Sequence, residues 1–459
     1  MSAVDAIAYT ADLKEALTGD RDARFVWLCN FEVENQWARG YTGLPAPRVS
    51  ATGATVQRME ELGALLAEPA DCLLLDRPLD DGYRRYVHKT GLGTPTELVT
   101  RTPAGAGGTS RAVLDSPELM DRLRRLARDG AYLMPMGNSP LEQRISQETG
   151  MRAAVPDAAT YERVNSKIYS RRLAAELGLR EIPGFCCETV PQLRHALEQG
   201  LDDGGPLIVK DAYGVSGKGL LVLDDRKKAD RLLRMVERRA RNTGDDAIHV
   251  VVERYLPKRF DLNYQFTIDR AGRVRLDFVK EALTSGGVHL GHVMPAGLTP
   301  AQHETLAEAA EALGARLYKD GFFGIVGVDA LVGADDLVHP VLEINARLNM
   351  SSYQGRVTER FLAPGGAALA RHHPLRLTAP VSFDEVAEAL GDLAEPPSAG
   401  TGAVITSFGT VNAQSGDSVP FDGRLYTLLF AARREELTAL DQRVARALAR
   451  FGTTTERKP

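Results

Sequence analysis

One lysine precedes a glycine-rich turn and a second lies inside it in the stretch PLIVKDAYGVSGKGLLVL, residues 206–223. Lys210 leaves an apolar run, and a second apolar run follows the turn. Glycine has no Cβ, so backbone N–H groups in such a turn can approach phosphate oxygens, and a lysine adds a positioned charge. The stretch predicts a phosphate-binding flap between two strands, with a tight hairpin bearing solvated lysines as the alternative. The flap residues of interest are Gly214, Ser216, Gly217, Lys218 and Gly219.

Oxygen-bearing side chains recur in VGVDALVGADDLVHPVLEINARLN, residues 326–349. Glu343, Asn345 and Arg347 are spaced two apart, so they would share one face of a strand, and Asp329 would come from the strand before it. Two carboxylates and an amide oxygen suit Mg²⁺ shared with phosphates and do not suit zinc. The alternative is an Asn/Arg turn with a surface glutamate, but charges placed among Val, Leu and Ile are costly unless they are paired or metal-bound.

Strands and hairpins must position these residues. Residues 325–332 and 338–344 read as two strands, and alternating residues on both sides of the turn 269–272 predict another hairpin. Because a strand, and not a helix, follows Lys218, and Gly219 replaces the Ser or Thr of a Walker motif, the flap does not belong to a P-loop NTPase. Leu306, Ala310, Leu313 and Leu317 mark one face of a helix.

The parts of the chain on either side of these motifs show other patterns of apolar and polar residues. Apolar runs at 25–28, 72–75 and 132–136 alternate with helical patterns, which predicts an open α/β sheet. The Gly-rich segment TPAGAGGTSRA, residues 102–112, is predicted as a surface loop. After a Pro/Gly-rich segment at 392–402, two strands and a helix predict a small C-terminal α+β unit.

Composition narrows the class of protein. The chain has 459 residues, which is more than one hydrophobic core usually organises, so two or three domains are expected. A net charge of −5 without basic clusters argues against nucleic-acid and membrane partners. Four cysteines without a C-x-x-C pair form neither a disulfide framework nor a zinc site, and no apolar run is long enough to span a bilayer. We therefore expect a soluble cytoplasmic protein.

Taken together, the flap and the EINAR motif at 343–347 make residues 165–347 resemble the ATP-grasp superfamily, whose members clamp ATP between two lobes built on antiparallel sheets. The resemblance implies three domains. They are an open α/β pre-ATP-grasp domain at 1–155, a two-lobed ATP-grasp core at 156–371 with its lid lobe at 185–255, and the α+β elaboration at 372–459. The fold class is α/β with α+β character.

The resemblance also implies roles for individual residues. Lys167 and Lys210 match the two phosphate-binding lysines, and the segment VVERYL matches the hinge that holds adenine through its backbone. Arg347 matches the catalytic clamp on the phosphate or the intermediate, with Lys210 assisting it. The cofactors implied are ATP and two Mg²⁺ ions, with Mn²⁺ as a substitute. Hinge and ribose residues would be Glu253, Arg254, Tyr255, Leu256 and Asp261, and the metal ligands Asp329, Glu343 and Asn345.

The activity implied is ligation. Transfer of the ATP γ-phosphoryl group to a carboxylate makes an acylphosphate, which an amine can attack. The layout of flanking domains is similar to the amino-acid and peptide ligases of natural-product pathways, of the pheganomycin type. Small-molecule substrates, amino acids or a short peptide, are expected, and a homodimer is left open. Candidate substrate residues are Lys280, Glu281, His289, His292, Ser351, Ser352, Tyr353 and Arg356, each with an ordinary loop residue as the alternative.

Three other readings stay open at this point. A biotin-carboxylase-like enzyme shares the E-x-N-x-R pattern, although the chain shows no biotin-acceptor segment. A ligase acting on purine-type or other small carboxylates is the second. A regulatory protein that binds ATP without turnover is the third, and the presence of all three predicted metal ligands argues against it. The sequence does not identify the carboxyl donor or the amine acceptor.

Overall fold

The computed structural model describes residues 8–45, 53–101, 108–202, 204–214, 219–285, 288–416 and 419–452, with only the backbone described at Ser285, Val288 and His289. Three sheets organise these residues: a parallel sheet of five strands, an antiparallel sheet of four and an antiparallel sheet of eight. This arrangement confirms the predicted fold class.

The N-terminal sheet is the predicted open α/β sheet, with strand order β3-β2-β1-β4-β5 and parallel pairing throughout. Strands β1 and β2 are buried on both faces, as apolar runs without alternation require, whereas the edge strands β3 and β5 are partly exposed. The strands are β1 Phe25–Leu28, β2 Cys72–Leu75, β3 Thr96–Val99, β4 Tyr132–Pro135 and β5 Arg152–Ala153. The helices are α1 Tyr9–Thr18, α2 Glu34–Trp37, α3 Gly53–Arg58, α4 Gly63–Leu66, α5 Asp81–Lys89, α6 Gly108–Leu114, α7 Pro117–Arg128, α8 Pro140–Thr149 and α9 Ala158–Val164.

The prediction of a surface loop at 102–112 is wrong from residue 108 onward, where helix α6 begins. Residues 102–107 lie outside the described part of the chain, but the helix begins at Gly108. The Glu32 carboxylate accepts a hydrogen bond from the Thr109 N–H at 3.1 Å, and Gly108 takes a positive φ of 71°. The group that caps this helix start comes from far away in the sequence, so a local pattern could not reveal it.

The four-stranded sheet lies in the predicted lid lobe and has the order β6-β9-β7-β8. Strands β7 and β8 pair antiparallel, with Lys210 opposite Leu220, which confirms the two strands predicted around the glycine turn. The elements are α10 Lys167–Glu176, β6 Gly184–Thr189, α11 Val190–Asp202, β7 Leu207–Asp211, β8 Leu220–Leu223, α12 Arg226–Thr243 and β9 Ala247–Arg254.

The eight-stranded sheet has the order β14-β13-β10-β11-β12-β15-β17-β16. The predicted hairpins occur as β10–β11 and β13–β14. Leu306, Ala310, Leu313 and Leu317 of α13 are buried against the sheet, as their spacing predicts. The elements are β10 Lys258–Ile268, β11 Val274–Ser285, β12 Val288–Met294, α13 Pro300–Lys319, β13 Gly324–Gly333, β14 Val338–Asn345, α14 Gly355–Phe361, β15 Ala367–Leu377, α15 Phe383–Leu390, β16 Gly402–Ser407, β17 Phe421–Ala431 and α16 Arg434–Leu448.

The C-terminal strands continue this sheet. Strand β15 pairs with β12 on one side and with β17 on the other, and it runs through the predicted boundary at residue 371. The division into domains therefore stays a prediction, while the predicted strands and the final helix are all present. Among the helices of the described residues, none has both the length and the apolar character that crossing a bilayer requires.

Candidate active site

A row of polar side chains crosses four adjacent strands of the eight-stranded sheet. In the antiparallel register, Glu343 of β14 pairs with Asp329 of β13, Asp329 with Asn263 of β10, and Asn263 with Lys280 of β11. Residues directly opposite each other in a sheet project from the same face. The register therefore brings together one predicted substrate residue and two predicted metal ligands.

The Asp329 carboxylate is held by two amides. Its Oδ1 accepts a hydrogen bond from Asn263 Nδ2 at 2.9 Å, and its Oδ2 accepts one from Asn345 Nδ2 at 3.3 Å. Burial raises the pKa of Asp329 to about 6, and the neighbouring charge of Glu343 adds to the increase. Two carboxylates side by side favour a cation between them, because the cation would relieve both their repulsion and the desolvation of Asp329.

Mg²⁺ fits the chemistry of this set. Asp329, Glu343 and Asn345 offer oxygen atoms from two carboxylates and one amide, which are the donors that Mg²⁺ prefers. Among the described residues, no group of three or more His, Cys, Asp or Glu side chains is placed to hold a metal ion. An ion bound through so few side chains would keep sites for phosphate oxygens and water.

Lys167 reaches the predicted metal ligands from the start of α10. Its Nζ lies 2.7 Å from Glu343 Oε1 and donates to the Gly214 carbonyl at 3.0 Å. Burial by itself would lower the pKa of this amine, but the carboxylates of Glu343 and Glu34 outweigh burial and raise it. The lysine therefore stays charged between the predicted flap and the strands β13 and β14, which carry the predicted metal ligands. The phosphates of a nucleotide would lie there.

Lys210 and Arg171 share one carboxylate in the lid lobe. Lys210 Nζ lies 2.7 Å from Glu253 Oε2, and Arg171 Nη1 lies 3.0 Å from Glu253 Oε1. Glu253 is only 5% exposed. Arg171 Nη2 also lies 3.7 Å from Glu181 Oε2, so two carboxylates balance the two cations of this cluster. Binding of phosphate by Lys210 would therefore have to exchange its contact with Glu253.

Arg347 lies against the N-terminal domain. Its Nη2 contacts Glu34 of α2 and donates to Asn345 Oδ1 at 2.8 Å, while Nη1 donates to the Leu348 carbonyl at 3.2 Å. The buried Nε has no hydrogen-bond partner in the described structure. The guanidinium is therefore positioned beside a predicted metal ligand with one donor still available.

The predicted hinge connects the two antiparallel sheets. Glu253 and Arg254 end β9, and Tyr255 and Leu256 lead into β10. Arg254 donates to the Gly204 carbonyl, and Tyr255 is 46% exposed. Asp261 of β10 accepts hydrogen bonds from Lys258 Nζ at 2.5 Å and Thr284 Oγ1 at 2.8 Å.

Only the ends of the predicted flap are described. Gly219 has a φ of +76°, and a Cβ added to it would lie 2.3 Å from Asp211 Oδ2, so the hairpin requires glycine here. Gly214 contacts Lys167 through its carbonyl oxygen. Ser216, Gly217 and Lys218 lie outside the described residues.

The predicted substrate residues on β11 and β12 differ in their surroundings. Lys280 is buried and donates to Gln354 Oε1 at 2.8 Å. Glu281 Oε2 accepts a hydrogen bond from Arg434 Nη2 at 2.6 Å. His292 is buried on β12, and the side chain of His289 lies outside what is described.

The four predicted substrate residues after the EINAR motif lie in the interior of the protein, next to the N-terminal domain. They are Ser351, Ser352, Tyr353 and Arg356. Ser352 Oγ donates to Gln265 Oε1 at 2.6 Å, and the Ser351 N–H donates to Asn349 Oδ1 at 2.9 Å. Tyr353 is fully buried. Arg356 donates to the carbonyl oxygens of Ala67 and Leu92 at 2.5 and 2.9 Å, so it joins the core to the N-terminal domain.

The sequence analysis missed three residues of the site: Glu34, Asn263 and Arg171. A signal for Asn263 was present, because Asp261, Asn263 and Gln265 are polar residues spaced two apart in a strand that is otherwise apolar. For Glu34 and Arg171 we find no such signal, since their partners are distant in the sequence.

Comparison with known proteins agrees with this geometry. Two family models match the chain: the Pre ATP-grasp domain over residues 59–151, and the carbamoyl-phosphate synthase L chain ATP binding domain over residues 166–370. The [butirosin acyl-carrier protein]–L-glutamate ligase of Niallia circulans is 28% identical over 331 residues, which are 72% of this chain and 73% of that protein. The biotin-dependent acyl-coenzyme A carboxylase alpha3 subunit of Mycobacterium leprae is 25% identical over 54% of this chain and 41% of its own length.

Solved structures show the same fold at low identity. The N5-carboxyaminoimidazole synthetase of Staphylococcus aureus, complexed with ADP, superposes with a TM-score of 0.55 and 11% identity over 93% of this chain and 98% of its own. The biotin carboxylase domain of the Hydrogenobacter thermophilus 2-oxoglutarate carboxylase gives a TM-score of 0.53 and 14% identity over 87% and 88% of the two chains. With a pre-ATP-grasp domain, an ATP-binding domain and this fold in one chain, the protein belongs to the ATP-grasp superfamily.

Proposed function

We propose that the protein is an ADP-forming ligase that joins the carboxylate of an amino acid to an amine. The observation that carries the proposal is the convergence of Lys167, Asp329, Glu343 and Asn345 on one face between the two antiparallel sheets. Lysine ammonium groups and an oxygen-only metal set are what phosphoryl transfer needs, because its transition state is stabilised by charge and by positioning. No nucleophilic side chain from the protein is required.

The chemistry follows from the charges. A carboxylate resists attack by an amine, since oxide would have to leave. Phosphorylation makes it an acylphosphate with phosphate as the leaving group. Mg²⁺, when bound, would neutralise the phosphates in transfer. Lys167 and Lys210 would hold those phosphates, and Arg347 would stabilise the negative charge that develops on the acyl oxygen.

An amino acid is the preferred carboxyl donor because of the relative that acts on L-glutamate. Its alignment spans 72% of this chain and 73% of its own length, against 54% and 41% for the carboxylase subunit. The acceptor in this proposal is the amine of a second amino acid or of a peptide.

The name of the same relative includes an acyl-carrier protein, and this favours a carrier protein as a second candidate acceptor. The group attacking the acylphosphate would then belong to a carrier protein instead of a free amino acid. Incubating the enzyme and labelled glutamate with either an amino-acid pool or a loaded carrier protein, followed by intact-mass measurement, separates the two acceptors.

A direct test measures ADP release with Mg²⁺, ATP and pairs of amino acids, together with the mass of the product. A carboxyl donor labelled with ¹⁸O should transfer one label into inorganic phosphate. Formation of AMP and pyrophosphate, or phosphate without label, would reject the acylphosphate mechanism. ADP release that requires bicarbonate and biotin, and no amino acid, would instead identify a carboxylase.

A further inference from the structure

Lys280 is a buried cation with neutral partners. Its side chain is on β11, and the residue is 3% exposed. Nζ donates to Gln354 Oε1 at 2.8 Å and lies 3.5 Å from the Ser351 carbonyl oxygen. The amine also lies 4.3 Å from the centre of the Phe278 ring. Each of these contacts is weaker than a pairing with a carboxylate.

No carboxylate of the described residues lies within the 4.0 Å of an ion pair with Lys280. Burial lowers the pKa of this amine to about 7, with no opposing charge to restore it. A buried ammonium without a counter-charge is costly, so a protein that keeps one normally supplies an anion or a function for it. The environment of Lys280 differs in this respect from that of Lys167 and Lys210, which both contact glutamates.

Lys280 also lines a cavity of about 360 Å³ between the sheet and helices α1 and α14. The other charged residues lining the cavity have partners: Arg275 contacts Asp277 and Asp12, and Glu359 accepts hydrogen bonds from the N–H groups of Ala8 and Tyr9. Of the two cations that line the cavity in the described part of the chain, Lys280 is therefore the one without a carboxylate partner.

The register relates this amine to the predicted metal site. Lys280 and Asp329 are both opposite Asn263, on the strands to either side of it. Two strand spacings amount to about 10 Å. The register therefore places Lys280 on the same face of the sheet as Asp329, two strands away.

We propose that Lys280 binds a carboxylate of the substrate other than the one that is activated, so that the activated substrate is a dicarboxylic amino acid. This inference rests on the proposed ligase function. A single ammonium with one amide acceptor beside it matches the charge of one carboxylate. A phosphate would need more donors, and an amine would be repelled. The L-glutamate in the name of the relative is a substrate of this class.

The test compares wild-type protein with Lys280→Met and Lys280→Arg in ADP release with Mg²⁺ and ATP. L-glutamate, L-aspartate and 2-aminoadipate serve as donors, and the two mono-amides of glutamate serve as analogues in which one carboxylate is replaced by a neutral amide. Lys280→Met should raise the KM for the dicarboxylate about ten- to hundredfold, the loss expected for a charged hydrogen bond. The KM for ATP should stay within about twofold, and Lys280→Arg should recover part of the affinity.

The amides give the most specific outcome. Wild-type protein should use glutamate much better than the mono-amide whose non-activated carboxylate is replaced. Lys280→Met should use these two compounds equally well. Lys319→Met, an exposed lysine on α13, is the matched control and should change neither constant. An unchanged KM for dicarboxylic donors in Lys280→Met, or equal use of monocarboxylic and dicarboxylic amino acids by wild-type protein, would overturn the inference.

Thermal unfolding decides the question even if no amino acid supports turnover, an outcome that would count against the proposed function. Without ligand, Lys280→Met should be at least as stable as wild-type protein, because it removes a buried charge that has no counter-ion. L-glutamate should then raise the melting temperature of wild-type protein more than that of the variant. A large loss of stability in Lys280→Met, with no ligand effect on wild-type protein, would assign Lys280 a purely structural role.

Discussion

Lys167 Nζ lies 2.7 Å from Glu343 Oε1, so the first residue of α10 contacts the last part of β14 across 176 positions of the sequence. This pair links the lysine that would hold phosphates to the carboxylate that would hold Mg²⁺. Binding of a metal–nucleotide complex would have to exchange the ion pair for contacts with the metal and the phosphates. The pair therefore provides a place where nucleotide binding reorganises the site.

The Glu343→Gln variant tests the metal assignment. It keeps the shape of the side chain but removes the charge that would face Mg²⁺. We expect kcat for ADP release to fall by about two orders of magnitude or more, which is typical for loss of an electrostatic catalytic group. Glu435→Gln, on the exposed side of α16, is the control. Near-normal turnover in Glu343→Gln would remove the metal assignment.

The Gly219→Ala variant tests the flap hairpin. The added methyl group would lie 2.3 Å from Asp211 Oδ2, in a residue whose φ is +76°. We expect weaker ATP binding, measured by titration calorimetry, because the two strands of the flap cannot keep their present separation. Gly244→Ala is a matched control, since it has a φ of +69° but open space around the new methyl group. Similar nucleotide affinity in both variants would mean that the contact with Asp211 does not matter for the flap.

The Glu34→Gln variant tests whether the N-terminal domain positions Arg347. Removal of the charge should loosen the guanidinium that contacts Glu34, while the lid lobe and the predicted adenine hinge are left intact. We expect kcat to fall about tenfold or more and the KM for ATP to change little, as for a group that acts in the transition state. A parallel increase in the KM for ATP with unchanged kcat would contradict this role. Glu34→Asp should restore part of the rate if charge at this position is what matters.

The Glu60→Gln variant tests the protonation of a buried glutamate in the N-terminal domain. Burial raises the pKa of Glu60 to about 8, although Arg58 lies 3.5 Å away. The folded protein thus retains a proton that the unfolded chain releases above about pH 4.5, so wild-type stability falls as the pH rises toward 8. The variant lacks this titration. Its free energy of unfolding, measured by denaturant titration relative to wild-type protein, should rise between about pH 5 and pH 7.5, by up to about 1.4 kcal/mol per pH unit.

A constant difference between the two proteins across that pH range would show that Glu60 does not titrate there. The comparison must be made within one unfolding transition, because a multidomain chain can unfold in steps. Glu435→Gln again serves as the control, since its side chain is exposed.

The sequence by itself determined the features that depend on local spacing. Alternation in β14 put Glu343 and Asn345 on the same face, because side chains alternate along any strand. The glycines after Lys210 gave a hairpin, since few other residues accept a positive φ at Gly219. The apolar stripe on α13 and the alternating pattern of the first 155 residues defined a helix and an open α/β sheet in the same way.

Only the tertiary structure decided which distant groups meet. Glu34 and Arg347 are 313 positions apart, Glu32 caps α6 from 77 positions away, and the C-terminal strands extend a sheet that begins at β10. Lys280 could be named as a substrate residue from the sequence, but its lack of a counter-charge could not be known until its neighbours were placed. These contacts depend on the packing of whole domains, and the pairing of charges across such distances leaves no period or spacing in the chain that a local pattern could reveal.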